Sequence, residues 1–133
     1  MKERLKIIKQ GQRIGYRPGT IDGTLDFIEK YRLNFMGKKP EVISAVSYRI
    51  MGLACGDPHT WQDIFDEIDV EPRYASVVYR QLLDFKSKRL KEIGITKKQL
   101  ENKVRSFILR QNNGSSDEDR KEISEIFRNI FLG

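Results

Sequence analysis

At 133 residues, with 38% hydrophobic and 33% charged residues and a formal net charge of +6, the chain is long enough for one compact domain and too short for two full-sized ones. One cysteine, Cys55, and one histidine, His59, exclude an internal disulfide and leave a tetrahedral metal site short of ligands. No run approaches the roughly 18 apolar residues of a membrane span, and the opening MKERLKIIKQGQR lacks the apolar core of a secretion signal, so the expectation is a cytoplasmic protein without a membrane partner.

In chain order, residues 2–12 read as a basic helix, followed by a loop or tight hairpin over 11–23, where Gly11, Gly15, Pro18, Gly19 and Gly23 accumulate. Thr24 then reads as the cap of a helix whose Leu25, Ile28, Tyr31 and Phe35 share a face. From Pro40, the residues Val42, Val46, Ile50 and Leu53 recur at helical spacing until Gly56-Asp57-Pro58. Thr60 with Asp63 forms a capping-box pattern for a short helix with Trp61, Ile64, Phe65 and Ile68 on its apolar side. Pro72 opens a longer helix to about Glu92, with Ala75, Val78, Leu82 and Phe85 facing inward. A second capping box, Thr96 to Gln99, starts a helix through Leu100, Val104, Phe107 and Ile108. Residues 111–116 read as a linker, with Ser115 or Ser116 capping a last amphipathic helix that carries Ile123, Ile126, Phe127, Ile130 and Phe131. The expected fold is all-α, divided into a basic N-terminal arm and helix (1–39), a helix-turn-helix domain (40–95) and C-terminal helices (96–133).

Charge is segregated along the chain. Residues 1–40 and 73–99 are basic, while 41–72 set Glu41, Asp57, Asp63, Asp66, Glu67, Asp69 and Glu71 against the single Arg49. Such blocks suggest two kinds of contact, one of them with phosphate. GYRPGTIDG lacks both the Gly-Lys-Ser/Thr ending of a P-loop and the flanking strand of a dinucleotide site, so its glycines read as turns. Cys55 follows the apolar MGLA and reads as a buried or half-buried thiol, not as a nucleophile activated by His59.

Residues 60–81 meet the demands of a helix-turn-helix. Ile64, Ile68, Val70, Ala75 and Val78 supply the inside positions, with Ala75 small enough for a close crossing of the two helices. Arg73, Tyr74, Ser76, Val77, Arg80 and Gln81 then fall on the outside of the second helix. Arg and Gln can read base edges, and Val77 can touch a thymine methyl. Over about residues 40–95 the chain resembles region 4 of the sigma-70 family, the part of bacterial sigma factors that recognises a promoter element. The resemblance lies in Arg49 to Leu53 as an Arg-x-x-Gly-Leu helix end, Gly56 to His59 as the loop, and Thr60 to Ile64 as the start of the next helix. Asp69 stands where that family has a turn glycine, and Glu71-Pro72 where it has a serine. Nothing ahead of residue 40 resembles region 2, which disfavours a stand-alone sigma factor. The resemblance implies that Arg73, Tyr74, Ser76, Val77 and Arg80 face DNA and that Lys86, Lys88 and Arg89 lie towards phosphate or polymerase.

The function expected from these features is a sequence-specific transcription regulator of phage or mobile-element type. Its partner is double-stranded DNA, with RNA polymerase as a further contact, and no cofactor is implied. A helical protein-interaction or assembly module is the alternative, and RNA binding through Arg13, Tyr16 and Arg17 a third reading. No pair of carboxylates, nucleophile with base, or metal set converges in the sequence, so no enzyme is expected.

Overall fold

The computed structural model describes residues 2–111 and 117–133. Among them it contains eight α-helices and no strand: α1 Lys2–Ile14, α2 Pro18–Lys30, α3 Pro40–Ala54, α4 Trp61–Glu67, α5 Pro72–Phe85, α6 Ser87–Ile93, α7 Lys97–Gln111 and α8 Asp117–Phe131. The protein is therefore all-α. No described helix is long and apolar enough to cross a membrane.

α3 is the element around which the others assemble, with α1, α2, α4, α5 and α8 all packed on it. Its large apolar residues Val42, Val46, Ile50 and Leu53 keep the predicted spacing, and its small residues Ser44, Ala45, Ser47, Gly52 and Ala54 are buried as well. Small residues let neighbouring helices come close on the sides that the large ones do not fill. Gly52 shows this most directly, since a methyl group there would stand 2.7 Å from the Tyr16 ring and 2.9 Å from the Asp57 carbonyl oxygen.

Two apolar clusters result. The larger gathers Phe27, Tyr31 and Phe35 with Ile50, Leu82, Phe107 and Phe131, so one core draws on all three of the segments into which the sequence was divided. The smaller joins Ile14, Tyr16 and Ile21 to Tyr48, Ile64 and Ile68. Trp61, Phe65 and Val70 pack against both. Burial pushes the hydroxyls of Tyr16, Tyr48 and Tyr79 up in pKa and that of Tyr31 up to about 12, which keeps all four neutral at physiological pH.

Several predicted boundaries need correction. Residues 11–23 are not a loop, because α1 continues through Gly11 to Ile14 and α2 begins at Pro18. Gly11 is kept helical by a tertiary contact: its missing side chain leaves room for the Tyr48 ring, whose hydroxyl donates to the Ile7 carbonyl. Asp57 caps α2 from 40 residues away, accepting from the Arg17 backbone N–H at 2.8 Å and from Thr20 Oγ1 at 2.9 Å. Thr24 is thus no cap; it lies inside α2 and donates to the Thr20 carbonyl. The long helix expected from Pro72 to Glu92 is divided at Lys86 into α5 and α6, and Phe85, expected inside, is 59% exposed. Both capping boxes form as predicted, Thr60 with Asp63 and Thr96 with Gln99. Residues 112–116, read as most of the linker and the cap of α8, lie outside the described residues.

Candidate nucleic-acid interface

The positions singled out in the sequence centre on α5. Pro72 occupies its first turn, where a missing N–H costs nothing, and Ala75, Val78, Tyr79, Leu82 and Leu83 bury its inner face. Arg73, Val77, Arg80 and Gln81, spaced i, i+4, i+7 and i+8, are exposed on the opposite face, with Tyr74 beside them. Fourteen residues make a helix of about 21 Å. Arg73 has no ion-pair or hydrogen-bond partner among the described residues, and Arg80 donates through Nη2 to Ser76 Oγ at 3.1 Å. Ser76 itself is half-buried and lies on the flank of this face.

The basic residues after α5 are used differently from one another. The Lys86 ammonium sits 5.1 Å from the centre of the Tyr31 ring and 5.6 Å from that of Phe85. Desolvation there, then repulsion from Lys30 and Arg89, pushes its pKa down. Lys88 is exposed and without a charged partner among the described residues. Arg89 is engaged within the fold: Nε donates to the Asn129 carbonyl at 3.1 Å, Nη2 to Asn129 Oδ1 at 2.5 Å, and Nη1 to Glu92 Oε2 at 2.9 Å. The structure therefore brings Arg73, Tyr74, Val77, Arg80 and Gln81 to one exposed surface. It places Ser76 at its edge, Lys88 on the next helix, and Lys86 and Arg89 in internal contacts.

The surroundings grade from acidic to basic along α5. At its start, Tyr74 borders a groove of about 260 Å3 that also holds Lys39, Glu41, Asp69 and Glu71. Past its end, Lys88, Lys91 and Lys98 are exposed, while Lys97 pairs with Asp84. The relation of α4 to α5 also differs in detail from expectation. Ala75 is fully buried in the larger cluster, whereas Ile64 and Ile68 lie in the smaller one. The two helices meet instead through the edge-on contact of Trp61 with Tyr79, ring centres 5.7 Å apart, and each packs separately on α3.

Arg49 is the polar residue whose role the sequence left unread. It is buried, donates from Nη1 to the His59 carbonyl at 3.0 Å, and lies 5.1 Å from the centre of the Trp61 ring, tying α3 to the entry of α4. Burial is the main cause that lowers its pKa, with Tyr79, Tyr16 and Glu101 acting in the opposite direction. A signal was present: Arg49 is the one charged side chain between Val42 and Gly56, and a lone charge on a buried helix needs partners. Among the described residues no group of three or more His, Cys, Asp or Glu is gathered for a metal ion.

Comparison with protein-family models, curated proteins and solved structures finds no match.

Proposed function

We propose that this protein is a sequence-specific binder of double-stranded DNA that regulates transcription, with α5 as the helix presented to the major groove. The observation that carries this reading is the exposed face of Arg73, Val77, Arg80 and Gln81 on a helix held by its opposite side. Arg and Gln offer donors for base edges, Val77 offers a surface for a thymine methyl, and Lys88 offers charge to phosphate. A contact with RNA polymerase belongs to the same reading and rests on the sigma-like residues Arg49 to Ile64. A second reading, a helical protein-interaction module, is favoured by the apolar share of the same surface: Tyr74 is 36%, Val77 41% and Phe85 59% exposed.

Selection of duplex DNA from a random pool separates the two. Enrichment of a motif is expected, and Arg73→Ala or Arg80→Ala should cost about 1–3 kcal/mol on the selected site and little on random duplex. A pool without enrichment, together with binding that does not weaken as salt rises, would defeat the DNA reading.

A further inference from the structure

α7 lies beside α5 and runs in the opposite direction. Lys97, at its start, pairs with Asp84 near the end of α5, and Arg105, about two turns further on, lines one cleft with Ser76, about two turns back along α5. The two helices therefore keep pace over about 12 Å. Arg80 reaches Ser76 from the exposed face of α5, so Arg80 and Arg105 stand on opposite sides of that cleft. Lys98, Asn102 and Arg105, spaced i, i+4 and i+7, form an exposed stripe of α7.

The cations of α7 fall into two sets. Lys97, Lys103 and Arg110 each have a carboxylate partner, in Asp84, Glu122 and Asp119. Lys98 and Arg105 have none among the described residues, and both belong to the exposed stripe. Glu101, the carboxylate on their own helix, is turned inwards: its Oε1 is buried, and it faces Tyr79 and Arg49. Arg73 and Arg80 across the cleft are likewise without a carboxylate partner among the described residues. Two helices side by side thus present four cations whose charge the fold does not neutralise.

Duplex DNA has the charge and the spacing to match. A helix seated in the major groove, which is about 12 Å wide, has a phosphate strand along each edge, and a second helix lying alongside meets one of those strands. The stripe from Lys98 to Arg105 is about 10 Å long, the rise of about three nucleotides along one strand. We propose that Lys98 and Arg105 of α7 bind the phosphate strand that flanks the groove entered by α5, with Asn102 between them as a hydrogen-bond donor. The assignment rests on α5 as the DNA-reading helix and adds to it a contact that carries no sequence information of its own. The sigma-like residues end at about 95, ahead of α7, so the resemblance does not supply this contact.

Salt-dependent titration of duplex DNA tests it. Lys98→Gln combined with Arg105→Gln should lower the log-log salt slope by nearly two units and weaken the selected site and random duplex alike, by about tenfold or more at physiological salt. Each single variant should lose nearly one unit, and Arg105→Lys, which keeps the charge, should keep the slope. Both side chains are exposed, so the melting temperature should not move. Lys103→Gln combined with Arg110→Gln removes the same charge from the set that is paired within the fold, and the slope should stay as it is. An unchanged slope in the Lys98 and Arg105 variants, while Arg73→Ala still weakens the selected site, would remove α7 from the interface and leave the reading of α5 standing. An equal loss of slope in both double variants would mean that net charge alone counts, which also overturns the proposal. Failure of the unaltered protein to bind any duplex would overturn both readings together.

Discussion

α3 and α5 are almost the same length, 15 and 14 residues, yet twelve residues of α3 are buried and only five of α5. The difference begins in the side chains. α3 mixes large apolar residues with small ones on every side, as a helix enclosed by neighbours requires, whereas α5 buries one apolar stripe and sets Arg, Gln and Asp opposite, with Tyr74, Val77 and Phe85 exposed among them. The first helix supplies rigidity, and the second, held by half its circumference, has a face free for a partner. That division of labour is what places the candidate interface on α5.

The largest expected effect tests whether the division is real. Ile50→Ala on α3 should cost about 2–5 kcal/mol, because Ile50 is fully enclosed and the cavity left behind cannot collapse easily. Val77→Ala on α5 removes a similar branched side chain from an exposed position and should stay within about 0.5 kcal/mol. Denaturant titration of both variants gives the ratio directly. Comparable losses would mean that the outer face of α5 is packed and unavailable to DNA.

Legibility in the sequence follows the range of the interactions involved. α3, α4, α7 and α8 could be read from spacing and from two capping boxes, because those devices act within one or two turns. The corner between α1 and α2 could not, since local glycines argue for a loop and the groups that overrule them, Tyr48 and Asp57, lie far along the chain. The candidate interface divides in the same way. The exposure of Arg73, Val77, Arg80 and Gln81 follows from the amphipathic pattern of α5, whereas the internal engagement of Arg89 depends on Asn129, 40 residues later. Helical periodicity assumes a continuous helix and so puts Phe85 inside, whereas α5 ends at that residue and leaves it exposed.

A smaller effect is expected where helices approach most closely. Gly52→Ala would bring a methyl group against the Tyr16 ring and the Asp57 carbonyl at 2.7 and 2.9 Å, and overpacking of this kind costs about 1–3 kcal/mol. Gly19→Ala, with nothing within 4 Å of the added carbon, should be neutral or stabilise α2 by up to about 1 kcal/mol. Thermal melts of the pair sharpen the contrast between enclosed α3 and the exposed start of α2. A harmless Gly52→Ala would show that α3 is packed less tightly against Tyr16 than its burial implies.

The smallest effects concern two neighbouring cations on α6, Lys88 and Arg89, which the sigma-like pattern treats alike and the structure does not. Arg89 links α6 to α8 through Asn129, and its exposed guanidinium limits the worth of that link. Arg89→Gln should therefore cost about 0.5–1 kcal/mol of stability and leave the salt dependence of DNA binding unchanged. Lys88 has no charged partner among the described residues, so Lys88→Gln should leave stability unaltered and, if its ammonium neutralises a phosphate, reduce the log-log salt slope by nearly one unit. Melts and salt-dependent titrations on both variants decide between the two roles. A reduced slope for Arg89→Gln with no loss of stability would mean that its guanidinium leaves Asn129 for phosphate in the complex, and the DNA-facing surface would then extend from α5 across α6.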